Sequence, residues 1–128
     1  MTLYEECVEA LKDNYTILGN NDKNRILTQL ENKFLFTNYG RIDWDRVIKK
    51  EQVNDNLDII EELVRNNTKV YIIWDEETLP VIKSDLFTVI NAIDDITAVS
   101  FDTWIFSADK EFVIEFYHDG EIKIGFSQ

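Results

Sequence analysis

Phe112-Val113-Ile114-Glu115-Phe116-Tyr117-His118-Asp119-Gly120-Glu121-Ile122-Lys123-Ile124-Gly125-Phe126 is the stretch around which the chain is organised. Two alternating runs, Phe112/Ile114/Phe116 and Ile122/Ile124/Phe126, flank the turn signal Asp119-Gly120, the pattern of a β-hairpin. A two-residue turn at Asp119-Gly120 would set Tyr117 against Ile122 and Glu115 against Ile124, leaving the two apolar sides on different faces. A three-residue loop, His118-Asp119-Gly120 with a left-handed Gly120, sets Phe116 against Ile122, Ile114 against Ile124 and Phe112 against Phe126. It also places Glu115 opposite Lys123, which predicts an ion pair on the other face of the sheet.

Upstream of the hairpin, Val70-Tyr71-Ile72-Ile73-Trp74 is a short unbroken apolar run, as expected of a strand covered on both faces. Ser84 is placed to cap a helix carrying Leu86, Val89, Ile90 and Ile93, and a further strand is expected at about 97–106. Strand, helix and strand suggest a βαβ unit, which would be right-handed if the two strands ran parallel.

The first half reads as helical. Thr2-Leu3-Tyr4-Glu5 has the form of a capping box, and Leu3, Cys7, Ala10 and Leu11 recur at helical spacing, predicting a helix over about 3–14. Gly19-Asn20-Asn21 breaks the chain before a stripe of Ile26, Leu27, Leu30, Phe34 and Leu35. A short helix capped by Asp43 is expected around Trp44, and a clearer one from Asn54 or Asp55, with Leu57, Ile59, Ile60, Leu63 and Val64 inward, ending at Asn66-Asn67. The expected architecture is a single α+β domain over residues 1–128. Its helical N-terminal half packs on a mixed, roughly four-stranded sheet that ends in the C-terminal hairpin.

With 128 residues, 45% of them hydrophobic, the chain can bury one core. No apolar run approaches the roughly 20 residues of a membrane helix, and Met1-Thr2-Leu3-Tyr4-Glu5-Glu6 lacks a secretory signal, so a cytoplasmic location is expected. The single cysteine, Cys7, excludes an internal disulfide and reads as a packed thiol. No glycine-rich phosphate loop, His-x-Glu or Cys-x-x-Cys spacing, or Gly-x-Ser-x-Gly elbow occurs. His118, the single imidazole, falls in the hairpin loop and reads as a surface residue rather than a general base. No catalytic residue, cofactor or metal is expected.

Charge is more informative. Acidic residues number 25 against 13 basic, a net charge of −12, and the pI is about 4.4. Before Thr68 there are 13 acids and 9 bases, from Thr68 onward 12 and 4, so the second part carries −8 of the −12. Such a surface repels phosphate backbones and anionic membranes and attracts cationic partners. If Val70–Trp74 and the following strand were parallel, Asp75, Glu76, Glu77, Asp85, Asp109 and Glu111 would gather at one end of the sheet. Asp94, Asp95, Asp119 and Glu121 would gather at the other. Asp94 and Asp95 would close a helix at its negative end, where carboxylates are disfavoured by roughly 0.3–1 kcal/mol each.

Asp102-Thr103-Trp104-Ile105-Phe106-Ser107 together with Phe112 through Ile122 resembles the C-terminal strands of small immunity proteins encoded beside bacterial polymorphic toxins, including contact-dependent growth-inhibition systems. The resemblance implies an inhibitor that binds its own toxin domain, commonly a basic nuclease. Asp75, Glu76, Glu77, Asp94, Asp95 and Asp109 are the candidate charge contacts, with Trp44 and Trp104 as candidate aromatic anchors. For each tryptophan, core packing is the competing role. The alternative function is a non-catalytic scaffold or regulatory interaction domain unrelated to toxins.

Overall fold

The computed structural model describes residues 1–55 and 57–127, Asp55 by its backbone alone. Along the chain come α1 (Leu3–Ala10), β1 (Thr16–Ile17), α2 (Asn20–Lys33), a 3-10 turn Trp44–Arg46, β2 (Lys49–Gln52) and a second 3-10 turn Val53–Asp55. Then follow α3 (Asp58–Arg65), β3 (Lys69–Trp74), β4 (Ile82–Asp85), α4 (Leu86–Asn91), α5 (Ile93–Thr97), β5 (Thr103–Ser107), β6 (Phe112–Phe116) and β7 (Ile122–Phe126). The seven strands form one sheet in the order β1-β4-β3-β5-β6-β7-β2, and every pairing is antiparallel.

The expected four-stranded mixed sheet is therefore replaced by seven antiparallel strands, because three short strands were not anticipated. β4 is the decisive one. Val81-Ile82-Lys83-Ser84 returns along β3, with Ile72 opposite Ile82 and Val70 opposite Ser84. Ser84 is thus a buried strand residue whose Oγ donates to the Asn14 carbonyl. Helix capping falls to Asp85, whose Oδ1 accepts from Thr88 N at 2.9 Å. Starting from β4, the two following helices bring the chain back on the far side of β3 as β5, antiparallel, with Trp74 opposite Thr103. No parallel βαβ unit forms. β1 and β2 come from the half expected to be helical, and they occupy the two edges of the sheet. β1 is only two residues long, and β2 carries Lys49 and Lys50 in a fully exposed strand, both of which discourage edge-to-edge pairing.

Both faces of the sheet are covered. On one lie α1, α3, α4 and α5, enclosing Cys7, Leu11, Val70, Ile72, Ile105 and Ile114. On the other, α2 and the segment 34–47 enclose Ile26, Leu30, Phe34, Ile73, Phe106 and Val113. Alternate residues of β3, β5 and β6 thus feed opposite cores, as a two-period strand requires. α1 forms with both hydrogen bonds of its capping box, Glu5 N to Thr2 Oγ1 at 3.1 Å and Thr2 N to Glu5 Oε1 at 2.9 Å. It ends earlier than expected, where Lys12 takes φ +57°. α2 stops at Lys33; Phe34 turns extended and stays buried, while Leu35 points outward, 50% exposed. Leu57, preceding α3, is likewise exposed, whereas Ile59, Ile60, Leu63 and Val64 pack inward as expected.

The β6–β7 register is the expected one: Phe112 opposes Phe126, Ile114 opposes Ile124, Glu115 opposes Lys123 and Phe116 opposes Ile122. Tyr117 N donates to the Glu121 carbonyl at 3.0 Å, closing a loop of His118, Asp119 and Gly120, with Gly120 at φ +96°. The Asn54 side chain holds this loop, its Nδ2 donating to the Gly120 carbonyl at 3.1 Å and its Oδ1 accepting from Ile122 N at 2.7 Å. The pair does not end the sheet, since β7 also pairs with β2.

A Cβ on Gly120 would meet no atom within 4 Å, so a substitution there is penalised through its backbone conformation alone. Gly120→Val is expected to lose more than about 1 kcal/mol of stability in chemical denaturation, and Gly120→Asn clearly less. Equal stability of the two variants would contradict the left-handed loop.

Candidate partner-binding site

Glu115 stands opposite Lys123 but does not pair with it. Residue alternation along β6 turns Glu115 into the core under α2, where its side chain is fully buried. Its Oε1 accepts from Arg41 Nε at 2.8 Å and Trp44 Nε1 at 2.9 Å, and its Oε2 from Trp104 Nε1 at 3.0 Å and Ile42 N at 3.3 Å. Four donors converge on one carboxylate, two of them indoles. Arg41 Nη2 also donates to Glu121 at 3.0 Å. Burial lowers the Arg41 pKa, but the hydrogen bonds to Glu115 and Glu121 outweigh it and raise the pKa overall. Lys123 pairs instead with Glu121, at 3.7 Å.

This arrangement gives Trp44 and Trp104 the core-packing role rather than that of exposed anchors. Trp44 is 6% and Trp104 4% exposed; both indole N–H groups are bound to Glu115, so neither ring is presented as an anchor. Trp44 lies on the sheet where Gly125 lacks a side chain: a Cβ there would come within 2.8 Å of its ring. Trp74 is also buried, its Nε1 donating to the Ile96 carbonyl at 3.0 Å.

Antiparallel pairing of β3 with β5 regroups the acids. Asp75, Glu76 and Glu77 follow Trp74, and Trp74 pairs with Thr103, so they share an end of the sheet with Asp102 and, through the Thr103–Phe116 pairing, with Asp119 and Glu121. Asp85, Asp109 and Glu111 stand at the opposite end, where Lys33 Nζ meets Glu111 at 2.7 Å. The first expected grouping is split, Asp85, Asp109 and Glu111 parting from Asp75, Glu76 and Glu77, while Asp94, Asp95, Asp119 and Glu121 stay together but share the Asp75 end instead of the opposite one. Asp94 and Asp95 also change their meaning: the helix breaks at Ala92, so they occupy the first turn of α5, where negative charge is favoured. The Ile96 carbonyl's bond to Trp74 brings α5 to the Asp75 end.

Asp75 Oδ1 accepts from Ser100 Oγ at 2.7 Å and from Asp102 N at 3.0 Å; Asp102 Oδ1 accepts from His118 N at 2.8 Å and lies 3.0 Å from His118 Nδ1. Lys23 Nζ donates to the Glu77 and Leu79 carbonyls at 2.7 and 2.8 Å, fixing the loop that carries the acids. The stretches 75–77, 94–95, 100–102 and 117–121 hold three, two, one and two carboxylates, eight in all, and no lysine or arginine. Glu76, Glu77, Asp94 and Asp95 are exposed.

The exposed aromatic of this end is Phe101, 79% exposed. Sequence reasoning missed it because residues 97–106 were assigned wholly to a strand, whereas the strand begins at Thr103. An apolar ring set between Ser100 and Asp102 was the available signal. Cys7 is fully buried, and burial raises its thiol to about 11, so it is protonated and inert at neutral pH. Among the described residues, no group of three or more His, Cys, Asp or Glu is placed to hold a metal ion, and no helix is long and apolar enough to cross a membrane.

Removing the buried carboxylate strands a guanidinium and two indole N–H groups. Glu115→Ala is therefore expected to cost about 3–5 kcal/mol in chemical denaturation, with tryptophan emission shifting to longer wavelength as Trp44 and Trp104 hydrate. A loss below about 1 kcal/mol would show that the cluster does not hold the fold.

No curated protein matches this sequence. A family model described as CdiI immunity protein EcoliA0-like matches residues 1–125 of the 128. The chain belongs to that family of CdiI immunity proteins, non-catalytic proteins whose role is to neutralise a toxin.

Proposed function

We propose that this chain neutralises a basic, nuclease-type toxin domain in the cytoplasm of the cell that makes both, presenting the carboxylates at the Asp75 end of the sheet to the surface with which the toxin would grip phosphate. The supporting observation is the gathering of eight carboxylates, without a lysine or arginine, on four stretches of chain that the antiparallel topology brings together. Carboxylates placed in this way compete for sites that expect phosphate oxygens, and their field accelerates encounter with a cationic partner. Asp75 both contributes charge and organises the loop, through Ser100 and Asp102. Glu76, Glu77, Asp94 and Asp95 are the freer contacts. Asp109, at the far end of β5, belongs to the same interface only if the toxin wraps the edge of the sheet.

Membership of the immunity family favours this function over a scaffold unrelated to toxins. Glu76→Lys/Glu77→Lys should weaken binding to the cognate toxin domain, slow association and flatten its salt dependence, while stability stays within about 0.5 kcal/mol of the parent. Titration of the toxin at several ionic strengths checks this. Unchanged affinity and unchanged salt slope would remove the Asp75 end from the interface.

A further inference from the structure

Beside the acids, a groove of about 370 Å³ runs between Phe101 and the β6–β7 loop, with Phe116 and Ile122 among its lining residues and Thr97 of α5 at one side. Its aromatic wall is continuous: the Phe101 ring meets His118 edge-on at 6.2 Å, and His118 lies 4.2 Å from Tyr117. On such an acidic surface an exposed phenylalanine invites a specific occupant. We infer that this groove is the anchor subsite for an arginine side chain on a basic loop of the toxin, its guanidinium stacked on Phe101 and its N–H groups turned to the surrounding carboxylates. The inference rests on the toxin-neutralising function proposed above and deepens it by naming the subsite and the chemistry it takes.

Three observations support arginine. A guanidinium is planar and weakly hydrated, so it can cover a ring while donating in its own plane to carboxylates, which a lysine ammonium does less well. The protein already builds that arrangement internally: the Arg41 guanidinium carbon sits 4.0 Å from the Tyr117 ring centroid while its nitrogens donate to Glu115 and Glu121. Phe101 offers the same kind of ring at the surface, with Asp75, Asp102 and Asp119 on the chain segments beside it. A nucleic-acid base would also stack on Phe101, but its phosphates would meet an end where eight carboxylates outnumber the nearby Lys23, Arg41 and Lys123.

The subsite is also pre-organised, which lowers the entropy cost of binding. Asp102 holds His118 through the backbone and the ring, Asp75 holds Asp102, and Asn54 holds Gly120 and Ile122.

The test uses the full chain and its cognate toxin domain, inactivated by substitution. Phe101 is 79% exposed, so Phe101→Ala should fold normally, yet bind the toxin at least about 30-fold more weakly, chiefly through faster dissociation. The salt slope should stay that of the parent, unlike that of the Glu76/Glu77 reversal. In double-mutant cycles against single Arg→Lys changes on the toxin, one arginine should couple strongly to Phe101. Wild-type affinity for Phe101→Ala, with the acid reversal still damaging, would overturn the subsite and leave the acidic interface standing. Insensitivity to both changes would overturn the two together. Coupling to no arginine, or Phe101-dependent binding of a labelled single-stranded oligonucleotide at physiological salt, would also overturn it.

Discussion

A carboxylate sealed in an apolar core is unfavourable unless donors replace the water it has lost. Glu115 receives four: the Arg41 guanidinium, the Ile42 amide and the indoles of Trp44 and Trp104. Three of these come from a short segment, 41–44, with little regular structure of its own, and the fourth from the neighbouring strand β5. The cluster therefore decides where that segment lies on the sheet. Once Trp44 is set on the bare surface of Gly125, the chain continues into β2 along β7. Arg41 carries the same network outward to Glu121 and to the face of Tyr117, so one buried charge orders both the core under α2 and the base of the β6–β7 loop.

That loop links the interior to the acidic end. Tyr117, fixed from below by Arg41, supports His118; His118 bonds Asp102; Asp102 bonds Asp75. Neighbouring carboxylates repel one another, and those at this end are held close partly by backbone amides and hydroxyls, neutral groups that donate to them. Each such bond lowers the cost of the crowding locally while leaving the summed negative potential intact. The acidic end is thus supported from the core rather than being a set of loose side chains.

Strong local patterns were legible in the sequence and weak ones were not. The alternation across residues 112–126 gave the β6–β7 register, because a one-residue slip would have exposed one of its apolar sides. The capping box of α1 and the doubly covered β3 were equally plain. β2, a fully exposed Lys-Lys-Glu-Gln strand, has no alternation to detect; its place depends on pairing with β7, a tertiary effect. β4 was hidden because Ser84 next to Asp85 imitates a helix start, and only the latter is the cap. Missing that one four-residue strand reversed the direction of β5 relative to β3, and so wrongly put Asp75, Glu76 and Glu77 at the opposite end of the sheet from Asp94, Asp95, Asp119 and Glu121. Glu115 misled for a related reason: the residue opposite it, Lys123, was correctly placed, but strand alternation says which face a residue takes, not whether that face is wet or what it bonds there. The acids of the candidate site were visible as residues, but their neighbours depended on topology. The aromatic one among them required the true start of β5.

The division of labour in the molecule follows from these constraints. β3, β5 and β6 are filled by apolar residues on both faces, where a change of even one methylene group disturbs packing, so they have little freedom to adapt to a partner. The connections at the Asp75 end bury only a few side chains, Leu79, Val81 and Val99 among them, and their acids are held by bonds at Lys23, Arg41, Ser100, Asp102 and Asn54. Recognition can therefore change at Glu76, Glu77 or Phe101 without disturbing the Glu115 cluster. The reverse does not hold: loosening Arg41 would release Tyr117, then His118 and Asp102, and spread the acids that the proposed interface holds close together. On the proposed function, specificity would reside in the loops and affinity would depend on the core beneath them.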